Sequence, residues 1–170
     1  SAAIAWPPAL CMPLLLPVAA SAQTTDKGNP YASMDFSDEA LVRELKGFKN
    51  GFADVNGTRL HYVEGGQGTP VILMPGWPQT WWAFHKIMPA LAQNHRVIAV
   101  DLRGMGTSSK PGGGYDKKNM AVDIHELVKS LGIRNVSIVG HDIGLMVAYA
   151  YAAQFPSETD KVVLMDAFLP

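Results

Sequence analysis

Along the chain, short continuously apolar stretches alternate with longer ones in which apolar positions recur every three or four residues. Residues 71–74 (Val-Ile-Leu-Met), 96–100 (Arg-Val-Ile-Ala-Val), 136–139 (Val-Ser-Ile-Val) and 162–165 (Val-Val-Leu-Met) are of the first kind. Short runs without polar alternation are typical of strands covered on both faces in a parallel sheet. The spacing between them predicts helices over 79–93, 116–131 and 144–155. In the second, Met120, Ile124, Leu127, Val128 and Leu131 share one face, and Pro156 stops the third. Upstream, 51–55 and 58–64 flank Asn56 and Gly57, the dipeptide that favours a two-residue hairpin turn. Earlier still, Ser37 is placed to cap a helix, with Phe36 and Leu41 spaced for a hydrophobic staple. Leu41, Leu45 and Phe48 extend that helix to about Lys49. An opening hairpin followed by β-α repeats predicts the α/β class, with a doubly wound, mostly parallel sheet.

Residues 1–22 depart from this pattern. They carry no charge, 10–20 are largely apolar, and Ala20, Ser21 and Ala22 before Gln23 match a small-x-small cleavage site. The expectation is a secretory signal peptide without its initiator Met and basic n-region, cleaved near Ala22, and hence an exported protein, periplasmic or extracellular. Pro7, Pro8, Pro13 and Pro17, in a run shorter than the ~20 residues of a spanning helix, argue against a membrane span. Residues 23–35 are polar, with Gly28, Asn29 and Pro30, and read as a linker. Residues 36–170 remain as the folded domain. The only cysteine, Cys11, lies in the leader, so the mature chain carries no thiol. With 48% hydrophobic and 17% charged residues and a net charge of -1, the composition is globular and gives no reason to expect nucleic acid as a partner.

The candidate chemistry sits where the strand 136–139 ends. Gly140, His141, Asp142, Ile143 and Gly144 have the small-x-nucleophile-x-small spacing of a nucleophile elbow, a sharp strand-to-helix turn that lifts its central side chain above the sheet edge. Serine usually occupies the centre; here it is an aspartate. A carboxylate with an ordinary pKa of about 3.9 is already an anion at neutral pH and needs no base to attack. Attack on a saturated carbon, as in an epoxide or alkyl halide, gives an alkyl ester that water can cleave, whereas serine would leave an inert ether. Two other readings compete for Asp142: a simple helix N-cap, and the opening of a dinucleotide-binding unit, whose Gly-x-Gly-x-x-Gly order is absent.

A second loop, Pro75, Gly76, Trp77 and Pro78, follows the strand 71–74. Carboxyl ends of strands are where chemistry collects in open α/β sheets. Gly76 permits a tight turn, and the backbone N–H groups of Trp77 and Ile143 are then placed to form an oxyanion hole for the tetrahedral intermediate of ester hydrolysis. Plain proline-glycine turn chemistry is the competing account.

Together, the 75–78 loop, the stretch from Asp101 to Ser108 with Lys110 and Pro111, the elbow, and Val163 to Asp166 resemble the N-terminal half of α/β-hydrolase-fold enzymes. Within that superfamily the likeness is to epoxide hydrolases and covers about residues 52–170. The resemblance implies that Asp142 opens an epoxide as nucleophile, with Trp77 and Ile143 as backbone oxyanion donors. Lid tyrosines would hydrogen-bond the epoxide oxygen, and a histidine oriented by an acid would activate water. The lid, the later strands, the acid and that histidine are expected beyond Pro170, leaving the last strand as an unpaired apolar edge. The family usually has histidine where Pro75 stands. Haloalkane dehalogenases typically place Trp directly after the nucleophile, and fluoroacetate dehalogenases place arginines; Ile143 and Met146 fit neither, and a small, neutral, apolar substrate suits them better.

Trp77, Trp81 and Trp82 are candidates to line the pocket, with core packing as the alternative for the last two. Gly76, Pro78, Gly140 and Gly144 shape the site, and His141 is expected to make a structural hydrogen bond behind the elbow. Asp101 and Arg103 are read as tying down the turn after the strand 97–100. His61, His85, His95 and His125 lack metal-ligand spacing, so neither metal nor cofactor is expected. The remaining alternatives are a dehalogenase or other hydrolase of the same fold, and a non-catalytic binding protein in which Asp142 survives as a cap.

Overall fold

The computed structural model describes residues 31 and 33–166. The leader and most of the linker expected from sequence lie outside the described residues. The chain divides after Met34 into two units, of which the second starts at Asp35.

This second unit contains α1 (Asp38–Arg43), β1 (Phe48–Val55), β2 (Thr58–Gly65), β3 (Thr69–Met74), a 3₁₀ turn (Trp81–Phe84), α2 (Met88–Leu91), β4 (His95–Val100), α3 (Lys117–Ser130), β5 (Val136–His141), α4 (Ile143–Gln154) and β6 (Thr159–Met165). They form one six-stranded sheet in the order β1-β2-β4-β3-β5-β6. β1 pairs antiparallel with β2, and β2 antiparallel with β4. The rest of the sheet is parallel. The hairpin turns on Asn56 (φ 43°) and Gly57 (φ 69°), both left-handed, as a type I′ turn requires.

Side chains on a strand alternate between faces, and the two apolar clusters obey that alternation. Ile72, Met74, Ile98, Val100, Val136 and Ile138 pack with α3 and α4, whereas Val71, Leu73, Val97 and Ala99 pack with α1, Trp81, Phe84 and Met88. The central apolar runs are therefore buried on both sides, as their sequence predicted. β6 is different: Val162, Val163 and Leu164 are 38%, 48% and 38% exposed, at the edge of the described sheet.

Right-handed crossovers fix the layering. The connection from β3 leads to β4 on one side of it, and the next leads past β3 to β5 on the other. The chain thus reverses direction between β3 and β5, and such a switch point leaves a crevice at the strands' carboxyl ends.

Two elements depart from expectation. The first helix stops at Arg43 because Gly47 (φ 84°) turns the chain into a strand already begun at Phe48. Ser37 does cap it, accepting from Ala40 N–H at 3.3 Å, but Phe36 is 61% exposed and adds little as a staple. The single helix expected over 79–93 is instead the 3₁₀ turn and the one-turn α2. Pro89 lacks an N–H and its ring would crowd the carbonyl of His85 in a continuous helix. α3 and α4 fall within a residue of expectation at each end, with Asp116 capping α3 through Asn119 N–H. No helix among the described residues is long and apolar enough to cross a membrane.

Candidate active site

Asp142 stands between β5 and α4 with φ 51° and ψ -120°, a conformation L-residues rarely adopt. Holding a non-glycine residue there costs about 1–3 kcal/mol, which surrounding structure must offset. Its backbone is anchored at both ends: Asp142 N–H donates to Met165 O and Leu145 N–H donates to Asp142 O, each at 3.0 Å. The side chain makes no cap to α4. Oδ2 accepts instead from Trp77 N–H at 2.9 Å. Asp142 thus holds the N-cap position of α4 without the side-chain bond to N2 or N3 that a simple cap makes.

The glycines act through space and not through their own torsions. Neither Gly76, Gly140 nor Gly144 has positive φ; the left-handed torsion at this turn belongs to Asp142 itself. A Cβ on Gly76 would lie 2.6 Å from Asp142 Cβ and 2.7 Å from its Oδ2. One on Gly140 would meet Gly144 O at 2.3 Å, and one on Gly144 would meet Met74 O at 2.2 Å. These contacts bring the start of α4 against the end of β3, and so the elbow against the 75–78 loop.

The N–H groups of Trp77 and Ile143 both act on the Asp142 carboxylate. Hydrogen bonding from Trp77 and then from Ile143, opposed by desolvation and helped by the charge of His141, holds its pKa below the usual 3.8. The carboxylate is only part-buried, so it is ionised and open to a reactant at neutral pH.

Of the expected pocket residues, Trp77 is 64% exposed and borders a cavity of about 320 Å³ that Ile143, Met105, Met120, Tyr115, Gly104, Arg103 and Lys117 also line. Trp81 belongs elsewhere. It is fully buried on the opposite face of the sheet, its indole N–H donating to Asp38 Oδ1 at 2.6 Å. Trp82 is part-buried against that same cluster, stacked on His85 at 4.1 Å.

Pro78 follows Trp77 through a cis peptide bond. His141 makes the hydrogen bond expected behind the elbow: Nδ1 lies 3.2 Å from Gln79 Oε1, with Nε2 3.5 Å from Asp166 Oδ2. The same Gln79 oxygen accepts from Gly76 N–H at 3.1 Å. Sequence reasoning passed over Gln79; its place three residues after Gly76 in a proline-containing turn was the available signal.

At the end of β4, Asp101 is completely buried. It accepts from Trp81 N–H at 2.8 Å, Thr107 N–H at 3.1 Å and His61 Nδ1 at 2.8 Å. Arg103 is held by Asp123 through bonds of 2.8 and 2.6 Å. Both do tie down the 101–109 loop, as expected. Asp38, His61 and Asp101 are the one grouping among the described residues with metal-ligand proximity. Their facing atoms already accept from Trp81, Thr107 and the imidazole, which leaves a cation little coordination to gain.

A two-way wound sheet whose switch point carries an acid elbow and a facing donor loop is the α/β-hydrolase arrangement. Residues 69–170 match the alpha/beta hydrolase fold family, and the chain belongs to it. A soluble epoxide hydrolase from Corynebacterium sp. (strain C12) is 45% identical over 114 residues, covering 67% of this chain and 40% of the relative. A cis-3-alkyl-4-alkyloxetan-2-one decarboxylase from Shewanella oneidensis is 36% identical over 130 residues, or 74% of this chain and 41% of the relative. Among solved structures, epoxide hydrolase CorEH superposes with a TM-score of 0.70 at 42% identity, covering 71% of this chain and 42% of that one. The chain thus spans about two fifths of the length of these relatives.

Proposed function

We propose that this chain carries the nucleophile and oxyanion donors of an epoxide hydrolase acting on a small, neutral, apolar epoxide. The observation that carries the reading is a part-exposed aspartate, strained into the elbow, whose carboxylate receives two backbone N–H groups. Trp77 N–H occupies Oδ2, which leaves Oδ1 to attack. The new Oδ1–C bond forms as the epoxide C–O bond breaks, and the ring oxygen takes a proton from a donor outside the described residues. Water then adds to Cγ of the resulting ester. The oxyanion develops beside Trp77 and Ile143 N–H, and collapse expels the diol and restores the carboxylate. Such a donor contributes on the order of 3 kcal/mol to the barrier.

The water-activating base is a histidine supplied from outside the described residues. Among those described, His61 is buried, His85 and His125 are stacked on aromatic rings, His95 is paired with Thr69, and His141 faces Gln79. The apolar cavity supports the substrate class, since Arg103 is neutralised by Asp123 and Lys117 Nζ is bonded to Tyr115 O at 3.1 Å. Residues 1–22 support export of the protein, which N-terminal sequencing from the culture medium or periplasm would test.

Single-turnover reaction of the full-length protein with an aryl or alkyl epoxide in H₂¹⁸O tests the mechanism. The ester route transfers ¹⁸O to Asp142 and puts enzyme-derived ¹⁶O in the first diol. Direct hydration, with ¹⁸O in the diol and an unlabelled Asp142, would exclude it.

A further inference from the structure

The geometry points to Gln79 as the positioning residue that joins the two halves of the oxyanion hole. The role rests on Asp142 acting as nucleophile with Trp77 and Ile143 as its donors.

The donor Trp77 N–H shares a rigid planar peptide unit with Gly76 C=O. Gln79 N–H donates to that carbonyl at 2.8 Å, which fixes the direction in which the Trp77 N–H points. The preceding peptide is held through its own N–H, because Gly76 N–H donates to Gln79 Oε1 at 3.1 Å. One residue therefore pins the loop on both sides of Gly76. Its side chain reaches further: the same Oε1 lies 3.2 Å from His141 Nδ1, next to the nucleophile in sequence.

A carbonyl oxygen has two lone pairs and accepts both bonds. The orientation of the amide is dictated by chemistry, because Gly76 N–H needs an acceptor and the NH₂ end offers none. It follows that His141 carries a proton on Nδ1. Gly76 is buried, so removing its acceptor leaves a donor without a partner. Gln79 itself is solvent-exposed and contributes nothing to either apolar cluster. Its loss should therefore disturb the placement of the donor and cost the fold no more than that one unpaired N–H. Pro75 has neither an N–H nor a polar side chain to support the loop, so the support comes from Gln79.

The test uses the full-length protein and a neutral epoxide. In Gln79→Met, kcat should fall about tenfold with KM within about twofold and the melting temperature lowered by no more than about 5 °C. Ester hydrolysis depends more on the oxyanion donors than ester formation does, so acid quench and mass spectrometry should find a larger steady-state fraction of alkylated Asp142 than in the unsubstituted protein. Gln79→Glu, which keeps an acceptor, should return kcat to within about threefold. An unchanged kcat in Gln79→Met overturns the inference. So does a fall in kcat that tracks melting temperature without added adduct, or a glutamate variant as slow as the methionine one. Absence of ¹⁸O and of any adduct on Asp142 in the unsubstituted protein is a separate result that defeats the epoxide hydrolase reading itself.

Discussion

Asp142 and Asp101 are built from the same parts and put to opposite uses. Each lies just past the carboxyl end of a parallel strand, and each receives two backbone N–H groups: Trp77 and Ile143 for one, Trp81 and Thr107 for the other. Each is crowded by a glycine, since a Cβ on Gly76 would lie 2.7 Å from Asp142 Oδ2 and one on Gly106 would lie 2.1 Å from Asp101 Oδ2. The differences are burial, a further partner and strain. Asp101 is fully enclosed and has His61 as a third donor, whereas Asp142 is part-exposed and stands at φ 51°. On the proposed reading, a carboxylate with backbone donors serves chemistry when it is left accessible and serves as a structural knot when it is enclosed.

The sharpest break in that comparison is kinetic. Asp142→Ala in the full-length protein should lower kcat/KM for an epoxide at least about 10³-fold, roughly 4 kcal/mol, while the melting temperature does not fall. Next in size is Asp101→Ala, which strands His61 Nδ1, the buried Trp81 N–H and the Thr107 N–H. Denaturant unfolding should show a loss of about 3 kcal/mol, with any activity change tracking the unfolded fraction. Gly76→Ala places a methyl group against Asp142 and should lower kcat/KM by about 10- to 100-fold at near-constant stability, because the loop donor is displaced. If it destabilises as strongly as Asp101→Ala, Gly76 belongs with the structural knot.

Asp142→Gly should act in the opposite direction on stability. It relieves the backbone strain and should raise unfolding free energy by about 1 kcal/mol while abolishing the adduct. The smallest effect is on pH. The two N–H bonds hold the Asp142 pKa below 3.8, and the ionised form is the attacking one. The rate of ester formation, measured by quench, should therefore stay flat from pH 7 to about 4 and decline only below it; a decline beginning near pH 5 would mean that the donors do not reach the carboxylate.

Much of this was legible in the chain. Apolar runs around 71–74 and 97–100 marked the central strands because burial on both faces leaves no polar alternation, and Asn56 and Gly57 fixed the hairpin through their own torsions. The spacing of Gly140, Asp142 and Gly144 located the elbow, though not which residue bears the strain. Cβ clearance depends on what another strand brings near, as Met74 O does to Gly144, and no local pattern carries that. The placement of Trp81 was missed for a related reason: the β3–β4 connection lies on the sheet face covered by α1 and Met88, and that side follows from strand order and crossover handedness, which no local pattern carries. Gln79 was missed because its partners, Gly76 N–H and His141, come together only after β3 and β5 pair.

The close seat of α4 on β3 has a consequence for how the protein tolerates variation. Gly76, Gly140 and Gly144 offer no side chain to a reactant, yet each fills space in which even a methyl group would collide. In a saturation-mutagenesis screen scored for activity, these positions should be nearly as intolerant as Asp142, the proposed nucleophile, while Trp77, which contributes its backbone N–H and exposes its ring, should accept many side chains. Selection at such a centre acts first on empty volume and only afterwards on functional groups.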